Sequence, residues 1–445
     1  MSRTPLACDW SATEVALALV DEPGLVVLAG TWFDSRAIVA SRPLRTHRAG
    51  AASDPFDLLD RIPDAALSAD GPGVYGGWFG YLGYQAGALV ERLPGSPLRP
   101  HPLPDWHLGW YDNVLRLDDE GTWWFETLPS PDRTEAHETR LRDLSERLGG
   151  APPRAREVRC DPFRLVPGGD DHRKAVRRAL ELIAAGDIYQ ANVCLRLESR
   201  MRSGRPLDLF TAGIEAHHPT RSAHLDLGDG AAVSSLSPEL FLRRVGDAVT
   251  TTPIKGTRRR EPGRAEPDPA RLELENSIKD RAENVMIVDL MRNDLGRVCA
   301  PGTIAVPRLF DTEAHPGLWH LVSEVTGRLR DGVGDGGLMR ATFPPGSVTG
   351  APKVRAMEVL ADVEATGREV YTGTIGAVSP VAGAEWNVAI RTFEHRGEHV
   401  WMGVGGGIVA DSDPDSELRE CMTKASPLID AVGASIEESS PRSEF

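Results

Sequence analysis

The 445-residue sequence predicts an α+β fold. Three observations predict it. Short apolar runs bounded by turn residues recur through the first 128 residues, the pattern of strands. After residue 170, helical periodicity returns at 171–184, 270–295, 351–364 and 416–432, with strand-like runs between. Hydrophobic residues make up 41% and charged residues 26%, ordinary globular composition that excludes a wholly disordered chain.

In order, Val26 to Ala29, Tyr75 to Tyr84 and Trp123 to Phe125 read as strands. Gly alternates with aromatics in GGWFGYLGY, which marks close backbone approach within a sheet core. Residues 133–148 read as a solvated helix ending at Gly149-Gly150. The Pro- and Arg-rich APPRAREVRCDPFRLVPGG then marks a boundary. The expected division is 1–150, a linker over 151–170, a second domain over 171–432 and a polar tail over 433–445. A helix follows from Asp171 through Ala184, then strands at SAHLDLG and AAVSSLS. The charged loop from Arg258 to Asp268 is expected to be exposed. One long helix is expected from Ala270 to Leu295, with Gly296 as its C-cap. Further on come a helix over Ala351 to Glu364, strands at YTGTIGAV, WNVAIRTF and HVWMGVGGGIVA, and a helix over Ser416 to Val432. The closing SIEESSPRSEF is expected to be disordered. No repeat of fixed period occurs.

The formal net charge of −15 argues against nucleic acid as the main partner, because phosphate binding needs a basic surface. Anionic small molecules need only a local cluster of donors. No apolar run reaches the roughly 18 residues of a membrane span, and MSRTPLACDWSATEV is broken by Pro5 and Asp9 before a signal-type core forms. Five scattered Cys without CxxC spacing make zinc and disulfides unexpected, so a reducing cytoplasm is the expected compartment.

Several side chains could carry chemistry. Asp280 and Glu283 lie three apart on the long helix and share a face; Glu417 and Glu420 repeat the spacing on the last helix. Each pair reads as a solvated acidic face or, if the helices meet, as half of a clamp for a hard cation such as Mg²⁺. In GVGGGIVADS, Gly403 and Gly405 to Gly407 either let backbone N–H groups approach an anion or form a strand-end bend. The run does not match the dinucleotide fingerprint, and FPPGSVTGAPK does not match the nucleotide P-loop. Lys353 in that segment serves an anion or is a solvated first-turn lysine. Lys255, between Ile254 and Gly256, is a snorkelling lysine or a desolvated amine made nucleophilic by a lowered pKa. Glu239, just after Pro238, is a candidate general acid or base. His320 lies in apolar LWHLVS, a setting more usual for a core histidine than a catalyst.

Taken together and in order, these segments resemble the chorismate-utilising enzyme family. Its members are anthranilate synthase component I, aminodeoxychorismate synthase component I, and the isochorismate and salicylate synthases. The resemblance runs through IAAGDIYQAN, SLSPE, PIKGT, KDRAENVMIVDLMRNDLGRV, HLVSEVTG, FPPGSVTGAPK, YTGTIG, AIRTF, GVGGGIVADSD and SELRE, and covers about residues 170–430. GGWFGYLGY resembles the amino-terminal part of the first two members. The water-adding members carry a water-activating Lys where this chain has Gln190, so the resemblance implies ammonia as nucleophile. Anthranilate synthases typically read PIAGT and aminodeoxychorismate synthases PIKGT; with Lys255 this chain is similar to the latter.

The resemblance implies two large antiparallel sheets packed face to face, with helices outside. It also implies a mechanism. Mg²⁺, held through Glu283 and Glu420 with Asp280 and Glu417 in support, binds the ring carboxylate of chorismate. Lys255 attacks C2 while Glu239 protonates the departing C4 hydroxyl. Ammonia then attacks C4 and expels the lysine, giving 4-amino-4-deoxychorismate. Tyr371, Arg391, Lys424 and the backbone of Gly405, Gly406 and Gly407 hold the side-chain carboxylate. Thr257 contacts the ring carboxylate, and His320 sits near C4 or C5. The family's tryptophan pocket is opened by a Leu-Glu-Ser type motif, and the corresponding LAGTWFDS lacks it, so tryptophan inhibition is not expected. No Gly-x-Cys-x-Gly nucleophile turn occurs, which implies a separate glutaminase subunit as the ammonia source, or free ammonium. The competing expectations are anthranilate synthase component I and a non-catalytic chorismate-binding homologue.

Overall fold

The computed structural model describes residues 1–50, 53–61, 71–95, 97–130, 132–133, 136–260, 268–315 and 317–437. Among them, two antiparallel sheets of thirteen and ten strands form the frame. Val26, Leu28, Trp32 and Ile38 of the larger sheet pack against Phe79, Tyr81, Ile375 and Ala377 of the smaller in one buried cluster. The sheets therefore meet face to face, as expected. Helices cover the outer faces. The last helix, Pro414–Ala431, packs Leu418, Cys421, Leu428 and Ile429 on the larger sheet. The helix Ile278–Gly296 packs Ile287, Val288, Met291 and Leu295 on the smaller. No helix among the described residues is long and apolar enough to cross a membrane.

Segments on both sides of 151–170 build both sheets. In the larger sheet, Val26–Trp32 pairs with Arg221–Gly228. In the smaller, Gly77–Leu82 pairs with Thr374–Ser379. Gly80 is needed there: a Cβ would lie 1.9 Å from the His107 carbonyl oxygen of the neighbouring strand. Trp32, of LAGTWFDS, is fully buried and donates its indole N–H to the Ser222 carbonyl at 3.1 Å.

Five local expectations are corrected. The long helix is two, Pro269–Asn276 and Ile278–Gly296. Ser277 between them is extended and its hydroxyl caps the second helix by accepting from the Asp280 N–H. Gly296 is the last helical residue; Arg297 is the cap. WNVAIRTF is likewise not one strand. Gly383–Val388 lies in the smaller sheet and Thr392–Arg396 in the larger, and the chain crosses between sheets at residues 389–391. Arg391 sits at this crossing with φ +52°, a left-handed conformation unfavourable for a residue that carries a Cβ. The glycine-rich run forms no strand-end bend; it lies inside the strand His399–Ile408. The tail is ordered to Glu437, since Phe163 donates to the Ser435 carbonyl and accepts from the Glu437 N–H. Residues 438–445, and 261–267 of the loop expected to be exposed, lie outside the described residues.

The fifth correction concerns Lys353, which is neither solvated nor open to an anion. Its ammonium donates to Asp294 Oδ2 at 2.5 Å, the Thr342 carbonyl at 2.7 Å and the Pro344 carbonyl at 3.1 Å. All three of its N–H groups are used. It ties the helix Ile278–Gly296 to the segment 342–352. Burial pushes the Asp294 carboxyl up to about 6 and pulls the Lys353 amine down, so each charge depends on the other. Replacing Lys353 by Met strands a buried carboxylate and two carbonyls. The expected cost is about 3–5 kcal/mol, read as a fall in urea midpoint at unchanged slope; a cost under about 1 kcal/mol would contradict the clamp.

Candidate active site

Lys255 and Thr257 lie on the strand Ile254–Arg259, at one edge of the smaller sheet. The register against Leu318–Arg328 slips between Ile254 and Thr257, an irregularity of the kind that re-aims a side chain. Gly256 between them has φ +87°, and a Cβ there would come within 3.0 Å of the Asp280 carboxyl carbon. The strand thus runs hard against the start of the helix Ile278–Gly296. The Lys255 ammonium donates to the Ser347 carbonyl at 2.9 Å. Desolvation lowers its pKa, with Glu283 and Glu239 opposing.

Glu239 is buried in the turn that enters the strand Leu240–Val245. Its own N–H donates to Ser237 Oγ at 3.2 Å, and its carbonyl accepts from Val388. Burial pushes its carboxyl up to about 7, against the pull of a hydrogen bond from Ser347 and the charges of Lys255 and Arg391. Ser347 is therefore shared: its carbonyl holds the lysine and its side chain meets the glutamate. Burial also lowers the pKa of Arg391, opposed by Glu239. The Arg391 guanidinium makes no hydrogen bond or ion pair with another described residue.

His320 is buried, and its Nδ1 lies 2.9 Å from Thr257 Oγ1. Burial, then the charges of Arg391 and His315, push it down to about 3, so the ring is neutral at pH 7. Tyr371 is buried with its pKa raised by desolvation, so its hydroxyl stays protonated. Its ring lies over Gly403, where a Cβ would approach within 2.1 Å. Glu394 accepts the N–H groups of Val370 and Tyr371 at 3.0 and 3.2 Å and so fixes that turn.

The glycine run shows why side chains are absent. Past Met402, the strand His399–Ile408 keeps Gln190–Ser203 on one edge and has no strand on the other. The Gly405 carbonyl faces that open edge and accepts from Lys424 at 3.1 Å. In an antiparallel strand one residue's N–H and C=O leave on the same side, so the N–H groups of Gly405 and Gly407 face it too. Gly406 faces Val193 in the ladder; what it offers is a bare surface, 3.0 Å from Glu417 Oε2 to where a Cβ would stand. At Gly407 a Cβ would meet Gln190 Nε2 at 2.3 Å and Glu283 Oε2 at 3.7 Å. Gln190 is buried, and its Oε1 has no hydrogen-bond partner.

The four candidate metal carboxylates are placed on two helices. Each has a partner: Asp280 has Arg258 at 3.0 Å, Glu283 has Lys279 at 3.9 Å, Glu420 has Lys424 at 2.8 Å, and Glu417 accepts from Ser412 at 2.7 Å. Among the described residues no three acidic, His or Cys side chains converge on one point. Glu283 and Glu420 nonetheless feel each other's charge, and burial, then Asp280 and Glu420, hold the Glu283 carboxyl above its usual range against Lys255 and Lys279.

Sequence reasoning missed the support behind these groups. Ser347 and Glu394 hold the lysine, the glutamate and the Tyr371 turn, yet only Ser347 lies in a segment singled out from sequence. The arrangement gathers a desolvated amine, a carboxyl poised near neutrality, anion donors and carboxylates, which suits covalent displacement on an anionic substrate.

Comparison with known proteins gives the family. The family of chorismate binding enzymes matches residues 31–430. The aminodeoxychorismate synthase component 1 of Salmonella typhimurium is 38% identical over 362 residues, 80% of this chain and 76% of that protein. The anthranilate synthase component 1 of Streptomyces coelicolor is 38% identical over 415 residues, 88% of this chain and 80% of that protein. The structure of anthranilate synthase component I from Streptococcus pneumoniae superposes with a TM-score of 0.78 at 26% identity, over 88% of this chain and 91% of that one.

The buried Glu239 makes stability depend on pH. Its folded pKa of about 7 lies above its unfolded value, so its contribution is full below about 4.5 and is lost as pH rises through 7. Glu239→Gln lacks this loss. Its stability relative to the parent should rise by about 3 kcal/mol between pH 4.5 and pH 8 in urea titrations; a pH-independent difference would mean the carboxyl is not perturbed.

Proposed function

Since the chain belongs to the family of chorismate binding enzymes, we propose that it is an aminodeoxychorismate synthase component I, converting chorismate and ammonia to 4-amino-4-deoxychorismate. Lys255 carries this reading: a desolvated amine 2.9 Å from the Ser347 carbonyl, beside a carboxyl near neutrality. Equal identity to an anthranilate synthase leaves the choice to this residue.

The chemistry runs in two allylic displacements. The Lys255 nitrogen bonds to C2, the ring double bond shifts, and the C4 hydroxyl leaves as water with the proton of Glu239. Ammonia then bonds to C4, the double bond shifts back, and the lysine leaves C2, with the surplus proton returned to Glu239. A carboxyl near pKa 7 can give that proton and take it back. Neutral His320 serves as a hydrogen-bonding group near the ring rather than as an acid. Thr257, paired with His320, meets the ring carboxylate. Arg391, Tyr371, Lys424 and the outward N–H groups of Gly405 and Gly407 take the side-chain carboxylate. Gln190 has a buried carbonyl without a donor, which an N–H of ammonia satisfies while its lone pair stays free for C4.

The donor types suit Mg²⁺: four carboxylates on two helices, with burial and the charges of Asp280 and Glu420 holding the Glu283 carboxyl above its usual range. Glu283 and Glu420 would hold the ion, beside Asp280 and Glu417, once Lys279 and Lys424 release them. Bound there, it supplies charge against the ring carboxylate. The word component in the relatives' names supports a second subunit; that it is a glutaminase supplying ammonia is part of the proposal. The proposed compartment is a reducing cytoplasm, from the scattered spacing of the five cysteines.

Purified protein with chorismate, Mg²⁺ and ammonium should yield, by mass spectrometry, an amine that retains the enolpyruvyl group. Anthranilate instead would mean that Lys255 does not set the outcome. Glu239→Gln should lower kcat by about 10²- to 10⁴-fold with KM little changed. Chelation by EDTA should stop turnover and added Mg²⁺ restore it; full activity in EDTA would remove the metal from the scheme.

A further inference from the structure

Behind the site lies a buried guanidinium that touches neither Lys255 nor Glu239. Arg368 is 5% exposed. Its Nε and Nη2 form a bidentate pair with Glu364 at 2.8 and 2.6 Å. Nη2 also donates to the Asn192 carbonyl at 2.5 Å. Nη1 donates to the Val348 carbonyl at 2.8 Å and to Thr372 Oγ1 at 3.3 Å. Glu364 extends the junction by accepting the Cys194 N–H at 2.9 Å. The guanidinium plane covers the Tyr84 ring at 4.3 Å.

One side chain thus joins three backbone segments, and each carries a site group one or two residues away. Asn192 lies two residues from Gln190 on the same strand. Val348 follows Ser347, which meets both Lys255 and Glu239. Thr372 follows Tyr371 and donates its hydroxyl to the Tyr371 carbonyl at 2.6 Å. Only a planar fork reaches all three: an ammonium has three donors at one point and cannot span them. Without it the Asn192 and Val348 carbonyls lose the donor that Arg368 supplies.

We propose that Arg368 is a positioning residue for the reaction, holding the Ser347–Val348 segment so that the Lys255 amine and the Glu239 carboxyl keep their mutual aim. This rests on the covalent-lysine reading above. A misplacement of about 1 Å far from the chemistry is enough to cost about 100-fold in rate, and releasing Val348 frees the neighbouring Ser347 carbonyl on which Lys255 is anchored.

Arg368→Lys keeps the charge and loses the fork. The test reads three quantities on the full chain: kcat and KM for chorismate, the thermal midpoint, and the pH profile of Lys255 acetylation by acetic anhydride, followed by peptide mass spectrometry. Expected are a kcat lower by about 100-fold with KM little changed, and a Lys255 acetylation midpoint moved up towards that of exposed lysines. Activity lost only in proportion to folded protein, with the Lys255 profile unmoved, would overturn the proposal and leave Arg368 a packing residue. If Arg368→Lys does not fold, Glu364→Gln keeps the shape and weakens the fork's anchor, and the same two signatures decide. If the parent makes no aminodeoxychorismate, the functional reading fails by itself, while the acetylation profile still answers whether Arg368 aims Lys255.

Discussion

A proline-rich segment is buried, its Gly350–Ala351 end paired with the larger sheet, and its carbonyls must find donors there. Residues 343–352 contain Pro344, Pro345 and Pro352, none of which has an N–H to build local structure. Buried and half-buried cations take over the task. Lys353 receives the Thr342 and Pro344 carbonyls, Arg368 that of Val348, and Lys255 that of Ser347. Asn192 and Tyr189 supply backbone N–H groups to Thr349 and Ala351. The candidate nucleophile is thus also one of the pins that hold the segment. Chemistry at Lys255 needs that pin drawn, and the remaining two keep the segment in place when it is.

Burial also sets the charge state of the site. It raises Glu239 to about 7, lowers Lys255, lowers Arg391 and takes His320 to about 3. Every one of these shifts favours the neutral form. An anionic substrate entering such a place meets donors poorly compensated by solvent, where each charge–charge contact is worth more than in water. The overall charge of −15 has little say here, because the local donors are shielded from the acidic surface.

Much of this was legible in the sequence. The strand runs Val26 to Ala29 and Trp123 to Phe125, which lie within Val26–Trp32 and Trp123–Thr127, and the order of motifs from Gln190 to Lys424, are local patterns and were readable as such. The unread parts are those where tertiary structure overrides local pattern. An apolar run such as WNVAIRTF says nothing about which sheet each half joins; the switch lies in the left-handed Arg391. Ser277 sits in a helical periodicity and breaks it by capping. Lys353 looks solvated at a first turn until the helix Ile278–Gly296 is packed on it. Arg368 and Glu364, four apart, belong to no motif read from the sequence, and only burial turns them into a junction.

The sheet order has a consequence for how the chain is made. The smaller sheet places Gly77–Leu82 beside Thr374–Ser379, and the larger places Val26–Trp32 beside Arg221–Gly228. A ribosome emits the first of each pair long before the second. Through most of synthesis the early strands stand with open edges and bare apolar faces, and neither sheet can close until the last quarter of the chain emerges. The aromatic Gly77–Leu82 strand, buried along its whole length at the end, can pair early with Trp106–Tyr111 on one edge and spends that interval with the other edge open. Yield in the cell should therefore be governed less by final stability than by how well that waiting strand is shielded from its copies on neighbouring nascent chains.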